Sequence, residues 1–409
     1  MARYRERVQT DSPTRRDYAV AFTVVLLIHA NLFKSSPLLA WLPIDLTLIL
    51  AAVVAVLLLA HALRYRGKLR LDLRAVALLA IVLPAWLYGE FHDYWVAKLT
   101  GFVITLVALL AGFYLINTPG RRKAWLHAIV ITAAVTLALT VIAPAADDVI
   151  RLSVAGATTI STGRIAGAAL VILAVLATRS FGRAWIPMIL LAAACGALMI
   201  ATGSRGPVIA AAITILGVAI VSKGRGRFMR VILAVGALAA GLAFIQDSNN
   251  LGASRIGQTL TGEREASDAR VELALAALRQ LENPFGVGWA NFQSVLGPAE
   301  MLQSGNFQYA HNVLLEVAVE AGWFPLIGVA VFLAWSLLRA RGLSSTPHGA
   351  AMFGLLAFTV VNAMVSGDIN DNRLMWATAA VILATPLPAV APADEYRPVE
   401  GEPRRRVTR

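Results

Sequence analysis

Apolar residues run along this chain in long stretches, broken by short clusters of Arg, Lys, Pro and Gly. The runs predict twelve helices, near 18–33, 40–62, 75–89, 98–116, 124–143, 164–178, 184–202, 207–222, 229–246, 322–338, 350–366 and 374–391. About 20 mainly apolar residues cross a bilayer as a helix. Several runs contain Gly or Pro, which membrane helices tolerate where neighbouring helices satisfy the backbone. The first run follows a basic tail, as a signal peptide would. It has no clear small-x-small cleavage site and eleven more runs follow, so it is expected to be retained as a span.

Composition strengthens this picture. Of the 409 residues 58% are hydrophobic and only 15% charged, with a mean hydropathy of +0.69. A soluble domain carries about 25% charged residues, and so much apolar surface could not be hidden from water at this length. That excludes a soluble enzyme, a disordered chain and a disulfide-stapled secreted module. The single Cys195 lies inside an apolar run, which leaves no disulfide and no thiol metal cluster.

The net charge of +12 raises the question of nucleic acid, and the placement of the charges answers it. Most Lys and Arg fall in the N-terminal tail, in 64–74, 121–123, 179–183, 223–230, 339–341 and the C-terminal tail, which alternate along the twelve runs. Cytoplasmic loops carry such an excess. Both termini are therefore expected inside, and nucleic acid is not needed to explain the charge. The expected organisation is a cytoplasmic tail at 1–17, nine spans over 18–246 and a large outward loop at 247–321. Three spans over 322–391 and a basic tail at 392–409 complete it. Apart from 144–163 that loop is the only long outward segment, and loops on a rigid scaffold commonly carry binding residues; a lid or spacer is the plainer alternative.

Three places carry candidate chemistry. In Thr202-Gly203-Ser204-Arg205-Gly206-Pro207, small residues flank an Arg where a new helix opens. Backbone amides at a helix start attract anions, and a guanidinium matches phosphate oxygens bidentately. The alternative is an arginine snorkelling to the interface. Thr162-Gly163-Arg164-Ile165-Ala166-Gly167 repeats the theme at another outer end, and Arg255, Arg264, Arg270 and Arg279 form a cationic series in the large loop. Those charges could equally be a solvated helix face. His311 stands in Tyr309-Ala310-His311-Asn312 where the loop returns to the membrane, with Glu316 and Glu320 following at i,i+4 spacing. Its ordinary pKa near 6.5 suits proton transfer, although a lone His beside an apolar helix is often structural. There is no His-x-x-x-His, no Asp-x-Asp, no Walker loop and no Gly-x-Ser-x-Gly, so no metal or cofactor is expected.

Taken together these strings resemble the O-antigen ligase and polymerase superfamily of bacterial envelope glycosyltransferases. Gly203-Ser204-Arg205-Gly206 is similar to that family's Ser-Arg-Gly signature. Arg270 followed by Asn283-Pro284-Phe285-Gly286-Val287-Gly288 and Asn291-Phe292 resembles its Arg, helix, Asn-Pro-x-x-Gly-x-Gly block. His311-Asn312 with Glu320-Ala321-Gly322 resembles its re-entry, and Arg164-Ile165-Ala166-Gly167 its Arg-x-x-Gly. The chain departs from the family in having Ala274 where a Trp is common, and in lacking an Asn-rich stretch after Gly167.

The resemblance implies an all-α integral membrane protein of about twelve transmembrane helices, of the membrane glycosyltransferase type C kind, with one large periplasmic loop domain. It implies a bacterial inner-membrane enzyme with a periplasmic site. There a glycan would move from undecaprenyl diphosphate to a hydroxyl of lipid A-core, or to another glycan in a polymerase, without metal or nucleotide sugar. Carried over by residue, His311, Arg205 and Arg270 would be catalytic. Arg164, Ser204, Gly206, Arg255, Arg264, Asn312 and Glu316 would bind substrate. A secondary transporter is the rival class; it favours internal repeats and mid-membrane charges, of which only Asp45 is plausible here. A non-catalytic envelope scaffold is the third reading.

The charge pattern makes a topological prediction. A reporter fused after Arg409 should read cytoplasmic and one inserted near Ser304 periplasmic; the reverse pair of signals would invert the frame.

Overall fold

A computed structural model describes residues 12–33, 39, 41–42, 44–64, 83–142, 153, 157–179, 185–221, 265–296 and 308–386. All regular structure among them is helical. We number the α-helices α1 (Arg15–Ile28), α2 (Leu46–Arg64), α3 (Asp93–Tyr114), α4 (Pro119–Ile142), α5 (Thr159–Ala177) and α6 (Trp185–Ala201). There follow α7 (Arg205–Val221), α8 (Glu265–Arg279), α9 (Val313–Ala321), α10 (Trp323–Leu343), α11 (Pro347–Ala363) and α12 (Arg373–Ala384).

Five of these, α2, α3, α4, α5 and α10, are long and apolar enough to cross a membrane. At 1.5 Å per residue, the 21 residues of α10 reach about 32 Å, the thickness of the hydrocarbon layer. The apolar helices α6, α7, α11 and α12 are shorter. Large apolar side chains stand exposed along α2 (Leu48, Val53, Val56, Leu59, Leu63) and α10 (Phe324, Ile327, Val331, Leu338). A face of that extent is not left in water, and a membrane protein presents it to lipid.

Three of the expected elements differ in the structure, and a fourth is not among the described residues. The run at 229–246 lies outside the described residues, and the described end of the run at 75–89 is a 3-10 turn, Leu83–Trp86, followed by bends. The fourth helix opens at Asp93, five residues before its apolar run, and so takes Lys98 inside. The loop expected to last until 321 has already rejoined the bundle by Val313, because Val313, Val317 and Ala321 of α9 are buried in the main core.

Helix α5 lies at the centre, packed by α4, α6, α7 and α11. Its N-terminal half holds Gly163, Ala166, Gly167, Ala168 and Ala169, and such small residues let helices approach closely without a hydrophobic drive between them. A Cβ at Gly167 would lie 2.6 Å from the Phe358 ring of α11, and one at Gly163 would lie 3.0 Å from the Thr202 hydroxyl ahead of α7.

Outside this bundle α8 and the segment 287–296 build a second, small core with Leu273, Ala277, Phe292 and Leu296, which rests on Val319 of α9. The Asn283–Gly288 turn ties the two together. Asn283 closes it, accepting from the Phe285 amide and donating to the Gly286 carbonyl. The amides of Val287 and Gly288 then donate to the Val319 and Glu320 carbonyls, and Trp323 N donates to Pro284 O. Gly286, Gly288 and Gly322 all have positive φ. The motif is a clamp on the C-terminal end of α9.

Gly288 is where this clamp is least forgiving: φ is +93°, and a Cβ would sit 2.1 Å from the Tyr88 carbonyl. Left-handed backbone alone costs about 1–3 kcal/mol for a residue with a side chain. Gly288→Ala should therefore lower the thermal transition of the purified protein clearly, whereas Gly217→Ala, which meets nothing within 4 Å, should not.

Candidate functional site

The site hangs on helix α9, and α9 hangs on one lysine. Lys98 is 3% exposed, and its Nζ lies 2.5 Å from Glu316 Oε1 and 2.7 Å from Glu320 Oε1. The two glutamates are one turn apart, so both face α3. Each carboxylate also holds backbone: Glu316 Oε2 accepts from Ile369 N and Glu320 Oε2 from Ala290 N. Lys98 further sits 5.1 Å over the Trp289 ring, and its own carbonyl accepts from Asn370 Nδ2. One ammonium and two carboxylates thus join α3, α9, the 289–290 turn and the 366–372 loop. Buried charges are tolerable only when paired and hydrogen-bonded in this way.

At its other end α9 presents the candidate residues. Asn312 is the N-cap: its Oδ1 accepts from the amides of Leu314 and Leu315, and its Nδ2 donates to Met364 O. Just before it His311 has φ +53°, a left-handed conformation uncommon for a residue with a side chain. That kink turns the chain into the helix and holds the imidazole 4.3 Å from the Tyr309 ring, centroid to centroid. Burial, with Asp371 and Asp368 nearby, pushes the Tyr309 phenol up, so the hydroxyl stays protonated.

The second element is the turn before α7. Thr202 Oγ1 accepts from the Ser204 amide, Gly203 has φ +66°, and Arg205 is the first residue of the helix. Gly206 packs on the loop after α11, where a Cβ would lie 3.1 Å from Ser366 and 3.4 Å from Val365.

These two helix starts face one cavity of about 390 Å³, with Ser204, Arg205, Gly206, His311 and Asn312 all in its wall. Val271 and Ala274 of α8 close it from the side. A Trp at 274 would occupy much of that space, and the alanine leaves it open. An arginine, a positive helix end and an imidazole around one volume can hold a diphosphate next to a proton acceptor.

The remaining expected residues are distributed as follows. Arg164 lines a neighbouring cavity of about 320 Å³ and braces the 366–371 loop, donating to Asp371 O and Ser366 Oγ. Ser366 borders the first cavity, so the two volumes are separated by this contact, Ile160 and the Tyr309–His311 pair. Arg270 belongs to the turn of α8 that contributes Val271. Arg255 and Arg264 lie outside the described residues. Glu316, expected to touch substrate, is 3% exposed beneath the site and holds Lys98 and Ile369 instead.

Lys98 is the first residue of the apolar run at 98–116, and nothing in that position marks it as an anchor. The available signal was stoichiometric: a Lys just inside one apolar run and two Glu on one face of a short apolar helix require each other. Tyr309 and Asn362 carried no pattern at all.

Residues 188–330 match a family model described as O-antigen ligase. The matched segment holds Gly203–Gly206, Arg270, the Asn283–Gly288 clamp, His311 and both glutamates, and it stops short of Arg164 and Lys98. No curated protein compared with the chain matches it.

Removing the lysine tests the anchor. Lys98→Met leaves two carboxylates buried without their cation, a change that costs about 3–5 kcal/mol in comparable sites. The variant should accumulate poorly and melt early in detergent. Adding Glu316→Gln and Glu320→Gln should restore much of the loss, and no restoration would argue against the pair as the anchor.

Proposed function

We propose that this O-antigen ligase-like membrane enzyme transfers a glycan from undecaprenyl diphosphate to a hydroxyl of lipid A-core on the periplasmic face of the bacterial inner membrane, with both of its termini cytoplasmic. The observation that carries the reading is that Arg205 at the start of α7 and His311 at the start of α9 line the same cavity although they are distant in sequence. In this reading the acceptor oxygen attacks the anomeric carbon of the donor, and His311 takes the hydroxyl proton. The bond from that carbon to the diphosphate breaks with inversion, and the lipid diphosphate leaves carrying the electron pair. A diphosphate leaving group needs positive charge more than a strong acid. The Arg205 guanidinium supplies it, with the first turn of α7, Arg270 on the facing turn of α8, and Ser204 and Gly206 letting the phosphate approach. No metal is required in this scheme.

Asn312 and Glu316 act as positioning residues: one caps α9 and the other fixes its height against α3. Arg164 contributes from the neighbouring cavity, and Arg255 and Arg264 are proposed to attract the donor. The left-handed backbone at His311 fits this scheme, since strain at a single residue persists where the surroundings enforce it and recurs at functional sites.

His311→Ala should reach the membrane at normal level and still bind the lipid-linked donor, with transfer slowed by about 10²–10⁴-fold. Arg205→Lys keeps the charge and loses the fork, so it should weaken donor binding itself. Near-normal transfer by either variant would remove that residue from the chemistry. In a deletion strain, loss of capped lipopolysaccharide with intact lipid-linked polymer marks a ligase, and a single-repeat band marks a polymerase.

A further inference from the structure

The 320 Å³ cavity beside the proposed diphosphate site takes no part in that scheme beyond Arg164, yet its walls are unusually polar for the interior of a helical bundle. His29 at the end of α1, Asn362 near the end of α11 and Arg164 of α5 all line it. His29 is 8% exposed and Asn362 3% exposed. His29 Nε2, Asn362 Oδ1 and Arg164 Nε are buried atoms with no hydrogen-bond partner among the described residues. Leaving such an atom unsatisfied costs about 1–3 kcal/mol each, and the three residues that carry them line one volume.

The kinds of atom say which ligand. Arg164 Nε can only donate, Asn362 Oδ1 can only accept, and an imidazole Nε2 does either according to tautomer. Asp371 adds a carboxylate and Asn372 an amide to the same wall. A phosphate offers acceptors alone and would be repelled by Asp371 and by the Asn362 oxygen. A hydroxyl both donates and accepts, and a ring bearing several hydroxyls satisfies a mixed wall of this kind. Tyr309, which lines this cavity, lies against His311, which lines the other. A Cβ at Gly206 of the first cavity would come within 3.6 Å of Asn362 Oδ1. The two volumes therefore meet where the transfer would occur.

We propose that this second cavity is a saccharide subsite, in which His29, Asn362 and Arg164 hold the hydroxyls of one sugar ring while the diphosphate lies in the first cavity. The inference rests on the proposed transfer and adds to it the place of a reacting sugar. That sugar is either the one joined to the donor diphosphate or the one bearing the acceptor hydroxyl.

The test uses the purified full-length protein and three lipids: undecaprenyl diphosphate without glycan, the native lipid-linked glycan, and lipid A-core as acceptor. Asn362→Leu removes the unpartnered buried acceptor at nearly constant volume. Because it deletes an unsatisfied buried oxygen, the unliganded variant should melt no lower than the parent. Undecaprenyl diphosphate should bind both proteins equally. If the donor sugar occupies the cavity, affinity for the glycosylated lipid should fall about tenfold, as expected for one lost hydrogen bond of about 1.4 kcal/mol, with the acceptor KM unchanged. If the acceptor sugar occupies it, the acceptor KM should rise by a similar factor with donor binding unchanged. His29→Leu should repeat whichever pattern appears. The proposal is overturned if neither quantity moves in both variants, or if the only effect is a lower melting temperature. Undiminished binding of undecaprenyl diphosphate to Arg205→Lys would instead sink the diphosphate site and leave the saccharide measurements standing.

Discussion

Everything that faces the two cavities is referred back to a lysine ammonium buried between two glutamates. Lys98 is worth little as a source of net stability, because taking three charges out of water costs about as much as their attraction returns. Its contribution is specificity of position. Only one axial height and one rotation of α9 put Glu316 and Glu320 on the same ammonium, and each carboxylate spends its second oxygen on a loop amide. An apolar interface would let a nine-residue helix slide; this one does not.

The glycine clamp holds the C-terminal end of the same short helix, at Val319 and Glu320 beside the anchor, while Asn312 caps its start, and together they point that start at the start of α7. The small residues of α5 work alongside. They let the bundle close tightly enough for Gly163 to meet the Thr202–Pro207 turn, and for Gly206 of that turn to meet Val365 and Ser366 after α11. Charge, backbone chirality and residue size are thus used at three different points to place two helix ends around one volume.

Much of this was legible in the chain. Long apolar runs give helices whatever their partners, because a backbone in lipid has no other way to satisfy its polar groups. The Ser-Arg-Gly turn and the His-Asn re-entry stood out in the chain since each breaks an apolar pattern with residues suited to an anion or a proton, and the structure brings both to the wall of one cavity. Lys98, Asn362 and His29 were not legible, because their meaning is relational: each sits inside a run that looks like ordinary span, and becomes interpretable only when its neighbour across the bundle is known. The pairing of Glu316 with Lys98 was hidden for the same reason. An acid one turn into a helix near a candidate site looks like a ligand until the lysine beneath it appears.

The distance in sequence between the members of that anchor gives it a history as well as a place. Lys98 and Glu320 are 222 residues apart. At synthesis rates of about 5–20 residues per second, Lys98 is made roughly 10–45 seconds before its second partner exists. Through that interval α3 carries an unneutralised ammonium near its N-terminal end, which long side chains keep at the water boundary by snorkelling. Withdrawal of Lys98 into the bundle is therefore a late step in assembly, and the arrival of α9 is what makes it possible. The chain brings its two helix starts around the first cavity and neutralises its most awkward charge in the same event, so a bundle that has not received α9 still shows its lysine to the solvent.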